Sequence, residues 1–84
     1  MAKIELYCSG FCSYCVMAER LLENKGAEYD VLRIDNDSKL YEEMLTRSQR
    51  RTVPQIFIND QHIGGYDDLA QLDREGGLDP LLAA

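Results

Sequence analysis

The sequence lacks several features that mark whole classes of protein. Among its 84 residues are nine lysines and arginines against fifteen aspartates and glutamates, which gives a formal net charge of −6 and a pI of about 4.6. Nucleic-acid binding depends on clustered positive charge, so this balance argues against it. No apolar run approaches the roughly 20 residues that a membrane span requires. We therefore expect neither a nucleic-acid partner nor a membrane partner.

The cysteine count excludes another class of protein. Three cysteines are an odd number in a short chain, and this count does not indicate a framework of structural disulfides. The first residues, Met1-Ala2-Lys3, lead into a strand pattern and have no targeting character. In a reducing cytoplasm, disulfides are transient and catalytic. We therefore expect a cytoplasmic protein.

What is present is an ordinary globular composition. Hydrophobic residues make up 45% of the chain, and there is no low-complexity segment or long linker. A chain of this length suffices for one small domain. We expect a single domain over residues 1–84, folded from near the first residue to the last.

Hydrophobic periodicity and turn residues divide the chain into strands and helices. The predicted elements, in order, are a strand Lys3–Cys8, a turn of Ser9, Gly10 and Phe11, a helix Ser13–Lys25 ended by Gly26, a strand Glu28–Ile34, a helix Lys39–Arg47, a strand Gln55–Ile58, a tight turn Asn59-Asp60, a strand Gln61–Gly64, a helix Tyr66–Arg74 and a short last helix with Asp79 as its N-cap and Pro80 as its first residue. The order β-α-β-α-β-β-α predicts an α/β fold in which helices cover both faces of a four-stranded mixed sheet.

The stretch Cys12-Ser13-Tyr14-Cys15 lies where the first strand has ended and the first helix begins. The N–H groups of a first helical turn have no partner within the helix, and they carry the positive end of the helix dipole. A thiolate at Cys12 is stabilised there, and the thiolate is the nucleophile of thiol–disulfide exchange. Cys15 follows one turn later, where it can close an intramolecular disulfide. A C-x-x-C beside a strand–helix unit indicates a thioredoxin-like redox motif.

Two structural roles compete with the redox interpretation. A zinc site needs four ligands, and the sequence offers only Cys8, Cys12, Cys15 and an unpaired His62. A purely structural disulfide across so short a loop would remove little entropy from the unfolded chain. Both roles are less favoured than redox chemistry.

Three motifs in this order resemble those of the glutaredoxin family: Cys12-Ser13-Tyr14-Cys15, Thr52-Val53-Pro54 and Gly64-Gly65-Tyr66-Asp67-Asp68. The resemblance spans nearly the whole chain and is closest to bacterial dithiol glutaredoxins. It implies a thioredoxin-like fold and a glutathione-dependent thiol–disulfide oxidoreductase, with Cys12 and Cys15 as the catalytic pair. The implied partners are glutathione and proteins that carry disulfides or bound glutathione. Glutathione would be a co-substrate rather than a tightly held cofactor, and the protein would be a monomer.

The same resemblance implies a glutathione site. The implied binding residues are Tyr14, Arg51, Thr52, Val53, Pro54, Gly65, Asp67 and Asp68. Pro54 would be held in the cis form opposite the cysteines, so that the backbone of Val53 pairs with the backbone of glutathione. Asp67 would meet the γ-glutamyl group, and Asp68 would contact it or only cap the helix. From the residues alone, Pro54 could equally lead a strand, Tyr14 could be a surface aromatic, and the aspartates could be ordinary caps.

The chain has one basic cluster, which consists of Arg47, Arg50 and Arg51 just before Thr52. Any of the three arginines could attract the glycine carboxylate of glutathione, and a solvated charged loop is an equal alternative. We favour Arg51 because it lies nearest to the Thr-Val-Pro turn.

Three positions depart from the family pattern. Ser13 stands where many dithiol members have proline, and its N–H and hydroxyl can both donate to a sulfur at Cys12. Ser9 stands where relatives often carry a lysine that meets the glutathione carboxylate. Cys8 is additional. We interpret Cys8 as a small hydrophobic residue at a strand end, with a secondary thiol open to glutathionylation as the alternative.

An alternative function is to carry an iron–sulfur cluster. Some glutaredoxins, including ones with serine in this motif position, hold a cluster between two chains. Cys12 of each chain and two glutathione thiols would supply the four thiolates of a [2Fe–2S] centre, so this function requires a dimer. A thioredoxin-like protein reduced directly by a reductase is a weaker alternative, because the sequence has glutathione-site residues in place of that family's motif.

Overall fold

The computed structural model describes residues 2–10 and 12–83, and the fold is built from eight elements within them. These elements are β1 Ile4–Cys8, α1 Ser13–Asn24, β2 Asp30–Arg33, α2 Ser38–Ser48, β3 Gln55–Ile58, β4 Gln61–Gly64, α3 Tyr66–Arg74 and α4 Leu78–Ala83. Phe11, which was predicted to lie in the turn before the first helix, is outside the described residues. The predicted order of strands and helices is confirmed.

The four strands form one mixed sheet in the order β2-β1-β3-β4. β1 runs parallel to β2, with Leu6 opposite Val31, and antiparallel to β3, with Leu6 opposite Ile56. β3 and β4 are antiparallel and are joined at Asn59 and Asp60, whose φ angles are 52° and 66°. Positive φ at both central residues is typical of a type I′ hairpin turn. The predicted mixed sheet and the predicted tight turn at Asn59-Asp60 are both confirmed.

Side chains of the central strand β1 alternate between the two faces of the sheet. Leu6 and Cys8 lie in a buried cluster on one face, and Tyr7 lies in a second cluster on the other face. The first cluster includes residues of α1, α3 and α4, namely Cys15, Ala18, Leu22, Leu69 and Leu78. The second cluster joins Tyr7 and Phe57 to Met44 of α2. Helices therefore cover both faces, as predicted.

The predicted start of the second strand and the predicted start of the last helix are each wrong by two residues. The second strand is Asp30–Arg33, not Glu28–Ile34, because it lies at the sheet edge and pairs only with β1, whose register matches Glu5 to Asp30 and Cys8 to Arg33. The last helix begins at the fully buried Leu78, not at Pro80. Pro80 still falls in the first turn, where a missing N–H removes no helical bond.

The other helix ends agree with the prediction to within one residue, and each has an identifiable stop or start. Gly26 follows α1 with a φ of 69°, a conformation that favours glycine after a helix. The Asp37 side chain accepts a hydrogen bond from the Lys39 N–H at 2.9 Å and so caps α2. None of the helices within residues 2–10 and 12–83 has the length and apolar character needed to cross a lipid bilayer.

Candidate active site

The start of α1 places Cys12 and Cys15 on consecutive turns with different exposure. Cys12 is the N-cap residue, with an extended backbone at φ −136° and ψ 108°, and its sulfur accepts a hydrogen bond from the Cys15 N–H at 3.4 Å. The Cys12 thiol also lies 3.6 Å from the carbonyl oxygen of Val53. Cys12 is partly exposed, whereas Cys15 is only 1% exposed. The helix start thus supplies a donor to the sulfur that a substrate can reach.

Cys15 is a buried thiol whose surroundings favour its protonated form. Burial raises the pKa of Cys15, and hydrogen bonds from its thiol to the sulfurs of Cys12 and Cys8 raise that pKa further. All three cysteines are free thiols in the structure. In the dithiol form, Cys15 is therefore a protonated donor beside the Cys12 sulfur rather than a second thiolate.

The turn before Cys12 is anchored by a carboxylate from the end of β2. The Gly10 N–H donates to Asp35, and Asp35 forms an ion pair with Arg33. The Arg33 guanidinium and the Gly10 N–H hold the pKa of Asp35 below its usual value. No local sequence signal links these positions, because the contact joins residues 25 apart.

The Val53–Pro54 peptide bond is cis, as predicted, and Pro54 is buried. The loop that carries it is held by a buried side chain, because Gln55 Nε2 donates to the Thr52 carbonyl at 2.9 Å. The Gln55 Oε1 atom faces His62 Nε2 at 2.8 Å. Since the Thr52 carbonyl can only accept, Gln55 must accept from His62 Nε2–H. Burial, together with the charge of Arg50, lowers the pKa of His62, which favours this neutral donor form.

The N-terminus of α3 presents two aspartates with different surroundings. The Gly65 N–H donates to Asp68 Oδ2 at 2.9 Å, and Arg50 Nη1 lies 3.0 Å from the same oxygen. Arg50 and the Gly65 N–H lower the pKa of Asp68. Asp67 is exposed, and no hydrogen bond or ion pair with another described residue engages its carboxylate. Asp68 is thus a cap, and Asp67 is available to a ligand.

An open groove of about 220 Å³ lies between the Pro54 loop, the start of α1 and the start of α3. Its lining is formed by Tyr14, Arg50, Thr52, Val53, Pro54, Gly65, Tyr66, Asp67 and Asp68. The structure therefore brings together seven of the eight positions predicted for glutathione. The eighth, Arg51, is exposed and is not among the described residues that line this groove.

Two groove residues were not among the predicted set. Arg50 occupies the place at the groove that was assigned to Arg51, and sequence distance from the Thr-Val-Pro turn could not distinguish the two arginines. Tyr66 opens α3, and its ring centroid lies 6.3 Å from that of Tyr14. Tyr66 lies inside the third motif, and its place there was the sequence signal that could have identified it as a groove residue.

The glutaredoxin family model matches residues 4–63 of the chain, a span that contains both cysteines of the active site and the Thr-Val-Pro turn. Glutaredoxin 3 of Escherichia coli is 55% identical over 82 residues, which are 98% of this chain and 99% of that protein. The chain belongs to the glutaredoxin family.

Solved glutaredoxins share the fold. A buckwheat glutaredoxin–glutathione complex matches with a TM-score of 0.89 at 30% identity, covering 98% of this chain and 77% of the buckwheat chain. A glutaredoxin from Brucella melitensis matches with a TM-score of 0.83 at 45% identity, covering 95% of this chain and 87% of that one. The fold is thioredoxin-like, and the role of this glutaredoxin is that of a thiol–disulfide oxidoreductase.

In this glutaredoxin, Arg47 belongs to the α2 face of the sheet rather than to the groove. Its guanidinium carbon lies 3.9 Å from the centre of the Phe57 ring, and Nη2 lies 3.0 Å from Glu5 Oε1. It also donates to the Tyr7 hydroxyl, which donates to Glu43. Burial, together with the hydrogen bond to Glu43, raises the pKa of Tyr7 to about 12. Of the predicted basic cluster, Arg47 therefore stabilises the fold.

The ligands considered for zinc are not gathered into one site. The His62 ring lies 5.0 Å from the Phe57 ring and bonds to Gln55, away from the cysteines. Among residues 2–10 and 12–83, no group of three or more histidine, cysteine or acidic side chains could hold a metal ion. A cluster on this glutaredoxin would need ligands from outside the chain.

Proposed function

We propose that the chain reduces protein–glutathione mixed disulfides and protein disulfides, with glutathione as the reducing co-substrate. The observation that carries this proposal is the groove beside the Val53 carbonyl, which lies 3.6 Å from the Cys12 sulfur. The same groove is lined by Arg50 and by Asp67 at the start of α3. Glutathione has a thiol near its centre, a carboxylate at each end and an ammonium beside one of them. A similar fold has been solved as a glutaredoxin–glutathione complex, from buckwheat.

Each part of the groove suits one part of the tripeptide. The Val53 backbone lies next to the Cys12 sulfur, where an extended peptide can pair with it as a short added strand. The free N–H groups of the first turn of α3 suit a carboxylate, and the Asp67 carboxylate suits the neighbouring ammonium. Arg50, which now pairs with Asp68, suits a carboxylate of the tripeptide.

The proposed reaction is a pair of thiol–disulfide exchanges. The Cys12 thiolate attacks the glutathione sulfur of a mixed disulfide, and the bond to the substrate protein breaks so that its thiolate leaves. A second glutathione thiolate then attacks the glutathione sulfur on Cys12, which releases oxidised glutathione and restores Cys12. With a protein disulfide, the Cys12 thiolate attacks one substrate sulfur and the other substrate sulfur leaves as a thiolate. Cys15 then attacks the Cys12 sulfur of this mixed disulfide, which releases the second substrate thiolate and leaves Cys12 and Cys15 joined. Two glutathione molecules then reduce that pair in two exchanges and leave as oxidised glutathione.

The test is glutathione-dependent reduction of a glutathionylated peptide by the wild type, Cys15→Ser and Cys12→Ser. We expect turnover by the first two and none by Cys12→Ser, because the exchange on glutathione sulfur needs only Cys12 and the groove. If Cys15→Ser is inactive while the wild type turns over, protein disulfides become the main substrates. If the wild type does not turn over, the glutathione proposal fails.

Cluster carriage stays the alternative, and it is tested separately. It needs a dimer, because one chain supplies a single accessible cysteine thiolate at Cys12. Reconstitution of the chain with iron, sulfide and glutathione should then give visible absorption together with a dimer on gel filtration. A colourless monomer after that treatment would rule the cluster out. For the enzyme itself we propose a cytoplasmic monomer that forms a single domain.

A further inference from the structure

Exposed apolar side chains are concentrated near the start of α1. Three of the four large hydrophobic side chains that stand out as exposed in the described chain lie there, namely Tyr14 at 55%, Val16 at 50% and Met17 at 42%. The fourth, Val31, lies on the edge strand β2. Single apolar side chains on a surface are ordinary, whereas a group of them marks an interaction site. The start of α1 is therefore a candidate contact surface.

A cavity of about 300 Å³ lies between α1 and the start of α3. It is lined by Met17, Arg20, Leu21, Asn24 and Tyr66. Tyr66 also lines the groove beside the Val53 carbonyl, and its ring centroid lies 6.3 Å from that of Tyr14. Residues three, four and seven apart lie on one side of a helix, so Tyr14, Met17 and Leu21 form a strip along α1. The cavity is thus continuous with the groove through the two tyrosines.

The cavity carries a positive charge on Arg20. This side chain is exposed, and it forms no ion pair with another residue of the ranges 2–10 and 12–83. Glu23, which lies three residues further along α1, instead accepts a hydrogen bond from the Tyr29 hydroxyl at 2.6 Å. In a chain of net charge −6, a cation beside apolar walls suits a ligand that combines an apolar group with a carboxylate.

We propose that this cavity binds the polypeptide of a protein substrate, with an apolar substrate side chain against Met17 and Leu21 and a substrate carboxylate at Arg20. Met17 and Leu21 follow Cys12 by about 8 to 14 Å along the helix. An extended chain covers that distance in about two to four residues, so the contacting side chains flank the reacting substrate cysteine. The proposal rests on the proposed reduction of protein substrates and adds a preference among them.

The preference can be measured with glutathionylated peptides. Two peptides carry Leu-Glu about three residues before or after their only cysteine, and each has a matched peptide with Ser-Gln in the same place. We expect kcat/KM for one Leu-Glu peptide to exceed that of its match by about three- to tenfold, because it buries apolar area and pairs a charge. The mixed disulfide of glutathione and 2-mercaptoethanol has no flanking chain and reports the glutathione reaction by itself.

A charge swap tests the role of Arg20. Arg20→Glu should lower kcat/KM for the favoured Leu-Glu peptide by about two- to fivefold, and a Leu-Lys peptide should restore it. Its kcat/KM for the 2-mercaptoethanol disulfide should stay within about twofold of the wild type. Arg74→Glu is the matched control, because Arg74 is also exposed and lies at the end of α3 opposite Tyr66. It makes the same change in net charge and should keep the wild-type preference for Glu over Lys.

A second test needs no glutathione. The favoured peptide, with its cysteine activated by 2-nitro-5-thiobenzoate, is joined by a disulfide to Cys12 of the Cys15→Ser chain, where the remaining Cys8 is only 4% exposed. We expect nuclear Overhauser contacts between the peptide leucine methyl groups and the Met17 methyl group. The absence of these contacts overturns the proposal, as does a Leu-Glu preference that Arg20→Glu leaves unchanged. Failure of the wild type to reduce the 2-mercaptoethanol disulfide would instead refute the proposed function, and the Overhauser contacts would still decide whether the cavity binds the peptide.

Discussion

The backbone N–H of Gly10 donates a hydrogen bond to Asp35 Oδ2 at 3.0 Å, and this contact joins the turn before Cys12 to the residues after β2. Arg33 donates to the same carboxylate through Nε at 3.2 Å and Nη2 at 3.0 Å. A Cβ atom on Gly10 would lie 2.6 Å from Arg33 Nη2, so this position has no room for a side chain unless Arg33 moves. The position of the reactive cysteine thus depends on a carboxylate that takes no part in the exchange.

Removing this anchor should slow the reaction of Cys12. We expect Asp35→Ala to lower kcat/KM for a glutathionylated peptide by about three- to tenfold, the range that the loss of one positioning hydrogen bond gives. Asp35→Asn is the matched control, because it keeps an oxygen that accepts from Gly10, and its kcat/KM should stay within about twofold of the wild type. Equal losses in both variants would show that charge, not the hydrogen bond, positions the turn.

Substitution to methionine, which keeps the length of the side chain, should have a different effect at each of Arg47, Arg50 and Arg51. Arg50→Met should raise the KM for glutathione by about three- to tenfold, because it removes the cation that lines the groove. Arg51→Met is the matched control on the same loop, and we expect its KM to change by less than about twofold. A larger effect at Arg51 than at Arg50 would indicate that Arg51 binds the glycine carboxylate, as the sequence predicted.

Arg47→Met should act on stability and leave the groove intact. Its guanidinium packs on Phe57 and pairs with Glu5, so we expect a loss of about 1–3 kcal/mol in the free energy of unfolding. Urea titration of the three variants measures this loss. An unchanged unfolding midpoint in Arg47→Met, with a raised KM for glutathione, would contradict the structural role assigned to Arg47.

Gln55 should stabilise the loop that carries Pro54. Gln55→Leu keeps a similar volume but leaves the Thr52 carbonyl and the His62 Nε2–H without their partner. We expect the free energy of unfolding to fall by about 1–3 kcal/mol and the KM for glutathione to rise, since Thr52 and Val53 line the groove.

The same substitution at the exposed Gln61 is the control for Gln55. Gln61 begins β4 and has an exposed side chain, so Gln61→Leu should change the free energy of unfolding by no more than about 0.5 kcal/mol. Urea unfolding and glutathione kinetics of both variants measure the difference. If Gln55→Leu lowers stability with an unchanged KM, the loop keeps its shape without the buried hydrogen bonds.

Much of the fold was predictable because its signals are local. Asn59-Asp60 marks its own hairpin turn, Gly26 marks a helix end, and the C-x-x-C stretch sits at a helix start for reasons that lie within a few residues. The groove residues were predicted from the motif resemblance, which also implied the cis form of Pro54. The glutathione contacts of these residues stay a prediction.

What could not be predicted depends on how the folded chain brings residues together. The length of β2 is set by its partner β1, so the strand-forming residues on either side of Asp30–Arg33 could not show where pairing stops. The contacts of Asp35 with Gly10 and of Gln55 with His62 join a side chain to a group that only the folded chain brings near. Arg50 and Arg51 have the same chemistry and adjacent positions, so only the direction of the backbone distinguishes them.

The ion pair between Arg50 and Asp68 bears on how fast a bound tripeptide can depart. Both side chains are nearly half exposed, and such pairs contribute about 0–1 kcal/mol. An incoming carboxylate would replace Asp68 as the partner of a guanidinium that is already oriented, and Asp68 would keep its bond to Gly65. On departure the two side chains pair again, so no isolated charge is left behind. Binding and release of the tripeptide at Arg50 would then exchange one carboxylate partner for another, with a small free-energy difference in either direction.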